Sequence, residues 1–181
     1  KRIQKEKNEF MNLNNFTIKS QEILQQAQQL AFNHQNQAIE TGHLLKALLD
    51  DEDSPIEYLL KKNNVNTNFI SGKLEEQIGK YAKLAGGEGG QMLSRDANNA
   101  MLRAGASIKE FKDEFVSVEH LLLGILGGSD DTAKLLKDAG LTEKGLKAAI
   151  KELRKGNTVT SQTAEAQYNS LQKYGKNLNE L

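Results

Sequence analysis

Apolar residues in this chain return every three or four positions: Ile23, Leu24, Ala27, Leu30 and Ala31 form one stripe, and Ala97, Ala100, Met101, Ala104 and Ile108 another. That period is the buried face of an α-helix. Residues suited to opening a helix stand at Thr17, Thr41, Ser54 with Pro55 at the first helical position, Asn66, Ser94, Ser117, Ser129 to Asp131, and Thr142, because their side-chain oxygens accept first-turn amides. Stops stand at Gly127-Gly128, Gly140 and Gly156. A single proline and abundant Leu, Ala, Gln, Lys and Glu favour helix throughout. The expectation is an all-α chain of eight helices without a sheet.

The eight helices fall into two sets of four. A shift of 77 residues lays Thr17 on Ser94, Leu24 on Met101, Ile39 on Val116, His43 on His120 and Leu49 on Leu126. After a one-residue deletion near "DDEDS", a shift of 76 lays Leu59-Leu60-Lys61 on Leu135-Leu136-Lys137 and Leu74 on Ile150. This predicts two tandem four-helix repeats related by a pseudo-twofold, since a solenoid needs about three or more repeats. The expected organisation is an upstream extension or tag remnant over 1–10, then a domain over 11–156, then a linker over 157–181. Within the domain, repeat one spans 16–80, a glycine-rich connector 85–92, and repeat two 93–155. The linker is too polar to join a core alone and is read as holding a short amphipathic helix around 164–174.

With 181 residues and 38% apolar content the chain can bury a core. Its formal net charge of zero recruits neither nucleic acid nor an anionic membrane. Cysteine is absent, which removes disulfides, thiol nucleophiles and thiolate metal sites and fits a reducing compartment. No apolar run approaches the roughly 20 residues of a bilayer crossing, so a soluble, cytoplasmic protein is expected.

No phosphate loop occurs, and "GGEGGQM" lacks the lysine and hydroxyl that hold phosphate and magnesium. The chain itself is therefore expected to be no enzyme and to carry no cofactor. A composite metal site from His43, His120 and Glu119 is the enzyme alternative. Against it, an imidazole opening an apolar helix is more often a packed, hydrogen-bonded group. The seam between the repeats offers a groove for binding. There repeat two has Asp113 and Glu119 where repeat one has Asn36 and Gly42. The two acids read either as groove-edge carboxylates or as a loop acid and a first-turn acid favoured by unpaired amides. Thr17 reads as a helix cap or a groove hydroxyl, and Met101 as core or as an adaptable apolar contact.

The segments "FTIKSQEILQQAQQLAFNHQNQAIETGHLLKALLDD", "FVSVEHLLLGIL", "LLKDAGLT" and "LQKYGKNLNEL" resemble the N-terminal domain and following linker of the ClpB family of bacterial AAA+ protein disaggregases. The likeness runs from Met11 to Leu181. It implies the double-Clp fold and a domain that engages exposed apolar segments of unfolded or aggregated polypeptide in a groove between the repeats. Thr17, Asp113 and Glu119 match polar positions implicated in substrate handling, and Met101 and His120 match positions lining the groove, where a purely aliphatic residue is the family's expectation at His120. The resemblance also implies ATP and magnesium in modules outside this sequence, a homohexameric parent working with the DnaK chaperone system, and a monomeric isolated domain. An adaptor-docking domain of a ClpC- or ClpA-type unfoldase is the alternative, since the repeat occurs there too.

Overall fold

A computed structural model describes residues 13–84 and 91–165. Among them lie eight α-helices: α1 Ile18–Asn33, α2 Thr41–Asp50, α3 Ile56–Lys62, α4 Thr67–Gly79, α5 Arg95–Ser107, α6 Val118–Leu126, α7 Asp131–Asp138 and α8 Glu143–Arg154. One 3-10 turn, Ile108–Phe111, extends α5. Among the described residues extended pairing is confined to isolated bridges, so the all-α expectation holds. The extension over 1–10, most of the glycine-rich connector and the tail beyond 165 lie outside the described residues.

Local chemistry accounts for most helix ends. The side chains of Thr17, Asn66, Ser94, Asp130 and Thr142 each accept the amide three residues on, which satisfies a donor that has no partner inside the helix. Two starts differ from the sequence reading. Glu40, not Thr41, caps α2, because the Thr41 hydroxyl is drawn to Asp130 at 2.7 Å and Thr132 at 2.8 Å. Pro55 sits at the cap of α3, one residue outside the helix. Gly140 and Gly156 adopt φ of 102° and 86°, the left-handed region that a side chain resists.

The pseudo-twofold is written into the backbone. Thr17 N donates to the Val116 carbonyl at 3.0 Å, and its mate Ser94 N to the Ile39 carbonyl at 2.9 Å. Val116 N donates to Asn15 at 2.8 Å, and Ile39 N to Met92 at 2.9 Å. Each repeat is thus stitched at its leading residues to the loop before the third-from-last helix of the other. Helix contacts obey the same exchange: α1 on α6 is matched by α5 on α2, α3 on α8 by α7 on α4, and α2 on α7 by α6 on α3, while α2 on α6 maps onto itself. The buried apolar side chains of both halves form one cluster, and α6 is buried along its whole length, Glu119 and His120 included.

The halves are not identical. Helices α5 and α6 share the most extensive contact among the described helices, and a Cβ on Gly124 would meet the Ala100 carbonyl oxygen at 2.2 Å. Repeat one has Ala47 at the equivalent place. Past Gly156, residues 157–165 do not leave the domain: Val159 is fully buried and Glu165 nearly so. Main-chain hydrogen bonds from Glu114 N to the Val159 carbonyl at 2.8 Å and from Ile18 N to the Gln162 carbonyl at 3.0 Å supply the attachment that their low apolar content does not.

Candidate functional site

Helices α2 and α6 open with the same device, a histidine at the third helical position. His43 Nδ1 accepts from Glu40 N at 2.9 Å and His120 Nδ1 from Ser117 N at 2.8 Å, while the Glu40 and Ser117 side chains accept the histidines' own amides. This is a capping box with imidazole in the place of the usual Glu or Gln. With Nδ1 accepting, the neutral ring carries its proton on Nε2. His43 Nε2 meets Asn36 Oδ1 at 2.8 Å, and His120 Nε2 meets Asp113 Oδ2 at 2.8 Å. The repeated His-Leu-Leu is therefore a fold element in both copies. Burial, with a smaller contribution from His34, pushes the His43 imidazole down to about 4, so it is neutral near pH 7.

Repeat two replaces the neutral pair by an ionic cluster. Arg154, from the last turn of α8, donates Nη1 to Asp113 Oδ2 and Nη2 to Ser117 Oγ at 3.2 Å, and its Nε lies 3.7 Å from Glu119 Oε1. Asp113 Oδ1 accepts from Val159 N at 2.8 Å. Burial pushes the Asp113 carboxyl up, but its bonds to His120, Arg154 and Val159 prevail and hold it below the usual carboxylate range. Phe111 covers the cluster, its ring edge-on to His120 with centroids 5.7 Å apart and under the Arg154 guanidinium at 5.4 Å.

Glu165 closes the other side. Its Oε2 accepts from Val118 N, the first amide of α6, at 3.1 Å. Burial, and then the charge of Glu119, push its carboxyl up to about 8, against the opposing hydrogen bonds from Thr17 and Val118. Thr17 caps α1, accepting from Ser20 N at 3.1 Å, with its Oγ1 3.0 Å from Ser20 Oγ.

The structure gathers Thr17, Asp113, Glu119 and His120 at one junction. It does not set the two acids along an open edge: the side chains of Asp113, Glu119 and His120 have no exposure. The reason is electrostatic, since the two carboxylates enter the interior beside the Arg154 guanidinium, with the Val159 amide on Asp113 as well. Met101 is 9% exposed and belongs to the apolar core, so it is not an open groove floor. Sequence reasoning missed Arg154 and Glu165. Arg154 had a signal, for it continues the buried stripe Leu146, Ala149, Ile150, Leu153 of α8. Glu165 had none.

In repeat one the corresponding space is filled differently. A Cβ on Gly42 would meet Tyr81 Oη at 2.3 Å and Gln77 Nε2 at 3.1 Å; Gln77 donates to Tyr81 Oη at 2.7 Å. A phenol and an amide stand where repeat two has Glu119 and its partners.

The metal alternative fails on the same geometry. The Nδ1 lone pairs of His43 and His120 already accept backbone amides, and no group of three metal-ligating His, Cys, Asp or Glu side chains occurs among the described residues.

The model of the Clp repeat (R) N-terminal domain matches residues 15–139. The chaperone protein ClpB of Porphyromonas gingivalis is 47% identical over 168 residues, which cover 93% of this chain and 19% of that protein. The chain spans about a fifth of the length of the curated relatives it matches. Among solved structures, the Hsp104 N-terminal domain from Candida albicans superposes with a TM-score of 0.70 at 22% identity, covering 83% of this chain and 99% of that one. A ClpV N-domain in complex with a VipB peptide superposes at 0.62 and 18% identity, covering 77% and 86%.

Proposed function

This chain belongs to the Clp repeat N-terminal domain family, and from that membership we propose that it is the polypeptide-engaging N-terminal domain of a ClpB-type chaperone that disaggregates and refolds denatured proteins. The observation that carries the reading is the 47% identity to a ClpB over nearly the whole chain. The ClpV N-domain, which shares the fold, takes a peptide in its complex with VipB, which supports a binding role for the scaffold.

In this reading the chain holds exposed apolar segments in the seam between the repeats. Because Thr17, Met101, Asp113, Glu119 and His120 are buried, they govern substrate handling as the frame that sets the seam. Direct apolar contact falls to side chains the fold leaves in water, above all Leu102 of α5 at 65% and Met92, just ahead of that helix, at 51% exposure. A few such side chains, at about 25 cal/mol per Å² buried, bind weakly. Weak contacts become useful when several tethered domains act together. A homohexameric parent using ATP in its other modules and working with the DnaK system provides that setting, in the cytoplasm; among the described residues no helix is long and apolar enough to cross a membrane.

The test is a titration of reduced, carboxymethylated lactalbumin, a permanently unfolded chain, with this protein and its Leu102→Glu variant. The variant is expected to bind about tenfold more weakly, the loss of roughly 1.5 kcal/mol for one leucine. Equal binding removes the assignment of this surface, and no binding by either removes the function.

A further inference from the structure

Three carboxyl groups, Asp113, Glu119 and Glu165, are buried together in repeat two, and among the described residues Arg154 is the cation that accompanies them, against Asp113 and Glu119. His120 adds no charge there, because its Nδ1 accepts from Ser117 N and its Nε2 hydrogen faces Asp113. With all three acids ionised the interior would hold a clear excess of negative charge, which a water-excluding site resists. The excess falls on Glu165. Asp113 is met by Arg154, His120 and the Val159 amide, and Glu119 by Arg154 at 3.7 Å. Glu165, 2% exposed, is met by the Val118 amide at 3.1 Å and the Thr17 hydroxyl, and among the described residues no cation stands within 4 Å of its carboxyl. The groups facing it are Glu119 of α6, whose charge opposes its own, and Arg154 of α8, whose weaker influence favours it.

The chain that carries Glu165 is attached in two stages. Val159 is fixed by groups that do not titrate with Glu165: its side chain is fully buried, its amide donates to Asp113 Oδ1 at 2.8 Å, and its carbonyl accepts from Glu114 N at 2.8 Å. Repeat one has the same stitch, from Gln37 N to the Ala82 carbonyl at 3.0 Å. Residues 160–165 fold back on themselves in a bend and a turn, with Ala164 N on the Ser161 carbonyl at 3.4 Å, and Thr160, Ser161 and Thr163 are exposed. Their hold on the domain is two hydrogen bonds through Gln162, from Ile18 N to its carbonyl and from its side chain to the Asn14 carbonyl, each 3.0 Å, partial packing of Ala164, and the buried Glu165. A segment held this lightly leaves when its one deeply buried group is better placed in water.

We propose that residues 160–165 are latched to the start of α1 and α6 by a proton on the Glu165 carboxyl, and that loss of this proton frees them while Val159 and the repeats stay in place. Ionised, Glu165 faces Glu119 without a cation of its own; released, it is solvated. The freed residues add up to about 20 Å of reach, at roughly 3.3–3.6 Å each, to the chain that follows the domain. The latch belongs to the fold and stands apart from the binding role proposed above. Its direction follows from burial and the Glu119 charge, which hold the seated carboxyl at about 8 against an ordinary 4.5. The latch is at full strength below pH 4.5, weakens by up to about tenfold per pH unit as pH rises to 8, and levels off beyond.

Hydrogen exchange at the Ile18 and Val118 amides reads the opening when each rate is divided by the intrinsic rate at the same pH. Between pH 5 and 7.5 the protection of both amides is expected to fall at least about thirtyfold, out of a ceiling of about three-hundredfold for 2.5 pH units. At both values they are expected to be less protected than the Val159 amide, since the segment leaves without the domain unfolding. In Glu165→Gln, whose carboxamide still accepts from Val118 N, the corrected protection is expected to change less than about twofold over the same range. Protection that stays level in the unaltered chain overturns the latch, and so does protection at Ile18 and Val118 equal to that at Val159, or a slope that persists in Glu165→Gln. The unaltered chain decides by the first two readouts even if the variant fails to fold.

Discussion

Arg154 is the residue on which repeat two's interior depends, because it stands against Asp113 and Glu119 where water cannot. Replacing it by Met leaves both carboxylates buried without that cation, and the expected cost is about 3–5 kcal/mol in urea-monitored stability. Asp113→Asn is expected to cost clearly less, since Asn36 already performs the same task for His43 in repeat one. Two titrations of opposite sign follow from the same interior. The folded Glu165 carboxyl, at about 8, lies above its ordinary value of 4.5, so its contribution is fully present below pH 4.5 and is lost progressively as pH rises to about 8. The folded His43 imidazole, at about 4, lies below its ordinary 6.5, so its contribution is present above pH 6.5 and is lost as pH falls towards 4. A stability profile measured for Glu165→Gln is expected to lose the decline between pH 4.5 and 8 and to keep the acid-side decline due to His43.

The close pairing of α5 with α6 belongs to the scale of elements. Gly124 faces the Ala100 carbonyl with no space for a methyl group, and Gly124→Ala is expected to destabilise the chain by about 1–3 kcal/mol through overpacking against backbone that cannot step aside. Ala47→Gly, the reverse change at the equivalent place in α2, supplies the control. This contrast also shows what the sequence made legible. The stripes through Ile23 and Ala97 placed the helices, and the shift that overlays His43 on His120 placed the repeats, because both are local or periodic signals. Thr41 misled for a distal reason: its hydroxyl answers to Asp130 and Thr132 of the other repeat. The acids misled for the same reason. Asp113 and Glu119 look like surface groups until Arg154, which follows Asp113 by 41 residues, and Glu165 arrive to enclose them, and no spacing within α6 announces either one.

At the scale of the whole molecule, the exchange of leading residues between repeats forbids independent halves. Thr17 N bonds Val116 and Ser94 N bonds Ile39, so the leading residues of each repeat are held by the other. A single cooperative transition is expected. Far-UV circular dichroism reports every helix, and tyrosine fluorescence in a Tyr168→Phe/Tyr174→Phe background reports Tyr58 and Tyr81 of repeat one alone. The two urea curves should coincide, and separated midpoints would show halves that melt one at a time. The attachment of residues 157–165 has a mechanical consequence as well. Tension applied to the chain beyond Glu165 loads the Val118 and Ile18 amides before it reaches any helix interior, so a pull from that side peels the cover at low force and leaves the stitched repeats whole.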